Sequence, residues 1–189
     1  MSALHSLRIP RRLLAVLVLL LAGVAWTCTA PNAAARTTAS LVTCPVGTQT
    51  TVYSPGLKLP ATPPASVSLT TAGSLGPCVS LDLNHTGASF SVTGSGQLTC
   101  LGGNSSGSGR LDWVNPGTSD SYFDFTGGIS LRPDGVTVLV LTGKVASGDY
   151  TGATVVETVV LASTDLTACL SPAGLTSVSG PFTVSLVGV

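Results

Sequence analysis

The chain has 189 residues, of which only 8% are Asp, Glu, Lys or Arg, with 22 glycines, 12 prolines and five cysteines. Eight basic and eight acidic residues balance each other and form no basic run, which excludes nucleic acid as an expected partner. No helix-period segment follows residue 35, so the body of the chain is not a helical bundle.

Taken in chain order, Arg8, Arg11 and Arg12 precede the apolar run Leu13–Trp26, which is shorter than the roughly 20 residues of a membrane span. Ala33-Ala34-Ala35 fits the small-residue cleavage rule, with Ala30 a second candidate. Residues 1–35 therefore read as a signal peptide, 36–40 as a short linker and 41–189 as one all-β domain, secreted and without a transmembrane segment after cleavage. Arg11-Arg12 followed by Leu-Leu is an incomplete twin-arginine motif. Cys28 offers a lipid-anchored alternative, but Ala25-Trp26-Thr27 before it is bulky where a lipoprotein box wants small residues. The mature chain carries five basic and eight acidic residues, a net charge of −3.

Segments rich in Val, Thr, Leu and Ser then alternate in hydrophobicity between clusters of Gly, Pro, Asn and Asp. They predict strands over 41–53, 66–72, 78–83, 88–100, 110–114, 120–131, 136–145, 153–162 and 177–187. Eight to nine antiparallel strands imply a β-sandwich or a small closed barrel. "SPGLKLPATPP" (Ser54 to Pro64) reads as a loop or edge because proline cannot donate to a ladder. "NHTG" at Asn84 reads as a hairpin turn with Gly87 at positive φ, "LGGNSSGSG" (Leu101 to Gly109) as a flexible loop, and "RPDG" at Arg132 as a type I turn.

Four cysteines remain after cleavage, Cys44, Cys78, Cys100 and Cys169, and two disulfides among them allow three connectivities. A first hairpin folded about the proline loop, centred near residue 61, sets Cys44 opposite Cys78 and leaves Cys100 for Cys169. The spacings match no zinc pattern.

The elements "YSPGL", "GKVASGDYTGA" and "CLSPAGLTSVSGPFTV", spaced by these four cysteines, resemble small secreted all-β proteins of Streptomyces-type actinobacteria. The resemblance spans nearly the whole mature chain and rests on turn and disulfide residues. It implies a fold and a compartment and carries no catalytic residue across. The spacing matches neither the short disulfide loops of enediyne-carrier apoproteins nor the subtilisin-inhibitor family.

Candidate chemistry is thin. His85, the one histidine of the mature chain, falls in the "NHTG" turn and reads as solvated, so no serine triad assembles. The mature cysteines are expected to be oxidised, and no phosphate-cradling glycine motif occurs, so no catalytic residue, metal or cofactor is assigned. Glu157, the only glutamate, lies in "ATVVETVVLAS". A buried carboxyl there would titrate high and act as an acid, whereas a hairpin about Tyr150-Thr151 pairs it with Lys144 across the strands, the reading preferred here. Asp112 and Asp124, as a carboxylate pair, are the basis for an alternative role as a polysaccharide hydrolase. Together with Asp120 they would also be oxygen ligands for calcium, without a loop motif to support it. Exposing "SPGLKLPATPP" would make a protease inhibitor.

The richest stretch is "GRLDWVNPGTSDSYFDF". An antiparallel register with a loop at 115–119 sets Leu111 opposite Phe123, Arg110 opposite Asp124 and Asp112 opposite Tyr122. Leu111, Trp113, Phe123 and Phe125 then face the core, and Arg110, Asp112, Tyr122 and Asp124 form an outer row, the candidate surface for an unidentified extracellular ligand. The expected role is non-catalytic binding or structural support.

Overall fold

Hydroxylic and apolar residues alternate because strands expose one face and bury the other, and strand is what they form. The computed structural model describes residues 39–59, 65–127, 129–131, 137–161 and 163–188, and its eleven strands make one antiparallel sheet. They are β1 (Ser40–Cys44), β2 (Gly47–Leu57), β3 (Ala65–Leu75), β4 (Val79–Ser80), β5 (Ala88–Thr99) and β6 (Gly102–Trp113). β7 (Ser121–Thr126), β8 (Ile129–Leu131), β9 (Thr137–Ser147), β10 (Thr154–Leu161) and β11 (Leu175–Val187) follow, with a 3₁₀ segment at Ser163–Leu170. The expected signal peptide, Cys28 and most of the expected linker lie outside the described residues, as do the end of the proline segment and the expected "RPDG" turn. Among the described residues no helix is long and apolar enough to cross a membrane.

Eight strands close a barrel in the order β10-β9-β7-β6-β5-β3-β2-β11, with β10 returning to pair with β11. The length of β11 makes closure possible: Leu175–Pro181 pairs with β2, and Phe182–Val187 pairs with β10. β1 continues along β11 and carries β4 at its outer edge, while β8 adds to β9. The expected strand over 41–53 is thus two strands, broken at Pro45, and the one over 120–131 divides into β7 and β8.

An eight-stranded barrel has a lumen that side chains can fill. Phe90, Leu111, Phe123, Phe125, Phe182 and Leu186 fill it, each nearly or wholly buried, with Phe90 against both Phe182 and Phe123. Their room comes from the Gly/Ser stretch expected to be a flexible loop. It is instead β6, paired with β5 from Thr99↔Gly102 to Ala88↔Trp113. A Cβ on Gly109 would lie 2.2 Å from the Phe123 ring, and one on Gly107 would lie 2.9 Å from Phe125. Glycine in these strands makes space for an aromatic ring. The outward residues Ser91, Thr93, Ser108, Arg110, Tyr122 and Asp124 are exposed and polar, the reverse of a lipid-facing band.

β2 and β3 pair from Gly47↔Leu75 to Ser54↔Ser68, a hairpin centred on residue 61. The disulfides are Cys44–Cys78 and Cys100–Cys169, as that register implies. They span 34 and 69 residues of chain, and each is worth about 4 kcal/mol in the chain-entropy model. The same hairpin corrects the reading of "SPGLKLPATPP": Ser54–Leu57 belongs to β2, and Leu57 is buried opposite Leu175.

Candidate functional site

Three connections meet at the end of the barrel where β5 and β10 begin and β6 and β9 finish. They are residues 81–87, 114–120 and 148–153. His85 lies among them, and it is not solvated: it is 4% exposed. Its ring meets Trp113 and Tyr150 edge-on, each 4.6 Å away between centroids. Gly87 has no positive φ; the turn before His85 is made by Leu83 at φ 60°, whose N–H donates to Ser80 O.

Both nitrogens of the His85 ring face carboxylates. Nε2 lies 2.9 Å from Asp149 Oδ2, and Nδ1 lies 3.0 Å from Asp82 Oδ2. The Tyr150 hydroxyl is 2.7 Å from Nδ1 and donates to Asp82 Oδ2 at 3.0 Å. Asp149 Oδ2 also accepts the Ser119 N–H, and Asp82 Oδ1 accepts the Asn84 N–H. Below the ring, Trp113 Nε1 donates to Ser121 Oγ, which donates to the Asp149 carbonyl. Partial desolvation opposes the charge on Asp82, yet hydrogen bonds from Asn84, Ser80, His85 and Tyr150 hold its carboxyl well below the usual carboxylate range. Burial, then the bond to Asp82 and the charges of Asp82 and Asp149, push the Tyr150 phenol well above its ordinary value.

The cluster binds three connections together. A histidine base needs one ring nitrogen turned to the nucleophile; here Nε2 is turned to Asp149, and Nδ1 to Asp82 and the Tyr150 hydroxyl. The hydroxyl on the ring, that of Tyr150, has a raised phenol pKa, the wrong direction for a nucleophile or base at neutral pH. A polar cavity of about 280 Å³ opens beside Asp82, His85, Thr118, Asp149 and Tyr150. Among the described residues no group of three or more His, Cys, Asp or Glu is placed to hold a metal ion.

Arg110, Asp112, Tyr122 and Asp124 lie on the barrel wall, as an outer row. The register differs from the expected one by two residues: Arg110 pairs with Tyr122, Leu111 with Ser121, and Asp124 with Ser108. An even shift keeps every side chain on its face, so Leu111, Trp113, Phe123 and Phe125 are buried as expected. The partners change, however. Arg110 bridges Asp112 and Asp120 and lies over the Tyr122 ring at 5.6 Å, and Asp124 stands opposite Lys144 of β9. A shallow depression of about 210 Å³ lies along Ser91, Ser108, Arg110, Tyr122 and Asp124.

The hairpin β9–β10 corrects the Lys144–Glu157 ion pair. Its register sets Lys144 opposite Thr154 and Glu157 opposite Leu141, three residues from the expected one. An odd shift reverses faces. Glu157 therefore points into the lumen, 3% exposed, while Lys144 is exposed outside.

Sequence reasoning missed the His85 cluster. Asp149 and Tyr150 lie 64 and 65 residues from His85 along the chain, and no local spacing announces such a meeting. No family model, curated protein or solved structure matches the chain.

Proposed function

We propose that the chain is a non-catalytic extracellular binding domain whose contact element is the turn Ser80–Leu83. The observation that supports it is the exposure of Leu81 and Leu83, 74% and 78%, on a turn tied down at its centre by Asp82. Leu83 also adopts a left-handed backbone at φ 60°, which costs a side-chain-bearing residue about 1–2 kcal/mol. A rigid apolar element gives up little conformational entropy when a partner covers it. Backbone bonds from Gly76 to Val46 and from Val114 to Gly87, and the pairing of Val79 with Thr43, gather three more exposed valines at this end.

The partner is a protein with an apolar cleft bordered by basic side chains. Asp82 keeps 43% of its side chain exposed and is held in its charged form, with Asp149 close by. A second copy, or an anionic membrane, would bring like charges together at this end. The two disulfides suit an oxidising compartment, in keeping with the signal peptide read from residues 1–35.

The polysaccharide-hydrolase alternative loses support from the register. Asp124 aligns with Ser108 and Asp112 lies four residues further along the same strand, roughly 13 Å at the rise of an extended chain. Paired glycosidase carboxyls lie about 5–9.5 Å apart. The inhibitor alternative keeps only part of its bait, because Ser54–Leu57 is strand.

Panning a random-peptide display library on the intact protein tests the proposal. The expected winners combine apolar and Lys/Arg residues, and Leu81→Ser with Leu83→Ser weakens them at least about tenfold, two interface leucines being worth upward of 1.4 kcal/mol. Winners that bind the double variant equally well would sink the contact element. Winners lacking basic residues would sink the partner chemistry.

A further inference from the structure

Glu157 is the only glutamate in the chain and sits in the lumen between buried Val155 and Val159 of β10. Across the strands it faces Leu141 on β9 and Val184 on β11. From β2 it meets Gln49 and Tyr53, the latter being the titratable group facing it among the described residues. The ion pairs of the described residues gather at His85 and Arg110 and leave Glu157 out.

Gln49 is also buried, at 6% exposure, and its Oε1 has no hydrogen-bond partner. A buried carbonyl oxygen needs a donor. A carboxylate beside it has none to offer, whereas a carboxylic acid has one. An acid and a primary amide close a two-bond ring, acid O–H to amide oxygen and amide N–H to acid carbonyl.

We propose that Glu157 is held in the barrel as a neutral carboxylic acid donating to Gln49 Oε1, and that this pair is a pH-sensitive brace between β10 and β2. Deprotonation takes away the donor and leaves a bare charge among valines. Burial pushes the Glu157 carboxyl up from 4.5 to about 7, the Gln49 amide N–H pulling the other way. Burial, then the charge of Glu157, likewise pushes the Tyr53 phenol up to about 12, so Tyr53 stays neutral throughout. Because the folded value lies above the unfolded one, the contribution of the brace is whole below 4.5 and is lost as pH rises through about 7.

A single glutamate makes the test direct. Protein labelled with ¹³C at the glutamate carboxyl gives one side-chain signal, expected to titrate with a midpoint near 7. A midpoint in the ordinary glutamate range overturns the proposal, and this titration needs no variant to fold. In thermal melts the wild type is expected to lose stability from about pH 5 to pH 8 more steeply than Glu157→Gln, whose side chain stays neutral. Identical pH profiles for the two also overturn it.

Discussion

Two clusters of charged and aromatic side chains among the described residues are built from opposite materials. Arg110, Asp112, Asp120 and Tyr122 come from one hairpin and lie on the outer wall, where Arg110 keeps 45% of its side chain exposed. Asp82, His85, Asp149 and Tyr150 come from connections far apart in the chain and close around a ring that is 5% exposed. Water competes with every contact of the first cluster and with few at the centre of the second. Proximity in sequence thus produced a cluster in which one arginine bridges two carboxylates in water, and the barrel's topology produced one that fixes a turn.

Substitutions separate the two by magnitude. His85→Ala, which leaves two carboxylates facing an emptied ring site between Trp113 and Tyr150, is expected to cost about 2–4 kcal/mol in urea unfolding. A cost below about 1 kcal/mol would erase the distinction. Tyr150→Phe removes only the hydroxyl shared by Asp82 and His85, and an expected loss of about 1–2 kcal/mol should appear in the same melts. Arg110→Ala should cost the least of the three and less again in high salt, since exposed ion pairs are weak and screened.

Acid sharpens the contrast further. The Asp82 carboxyl is held below its ordinary value by its hydrogen bonds, so its contribution is present above the unfolded value of 3.8 and lost as pH falls through the folded one. The acid limb of a stability–pH curve should therefore flatten in His85→Ala and keep its slope in Arg110→Ala.

How far the sequence foretells the molecule depends on hairpin parity. The β2–β3 hairpin and both disulfides follow from a turn centred on residue 61, where cysteines constrain the register. In β6–β7 the turn is longer than expected, yet the shift is even, so the inner aromatics and the outer row keep their faces. In β9–β10 the turn formed by Gly148–Gly152 shifts the register by an odd number, and Glu157 passes from wall to lumen. One residue of turn geometry decides between a surface ion pair and a buried acid. The Gly/Ser run of β6 was illegible for another reason: its strand character depends on rings supplied by β7. The His85 cluster depends on closure itself, which no local pattern encodes.

The proposed binding role requires the turn Ser80–Leu83 to be a rigid presenter of two leucines, and backbone ¹⁵N relaxation tests that most directly. Order parameters of about 0.85 for Leu81 to Asn84, matching the strands, are the predicted result, while values below about 0.6 would mark a free loop and contradict it.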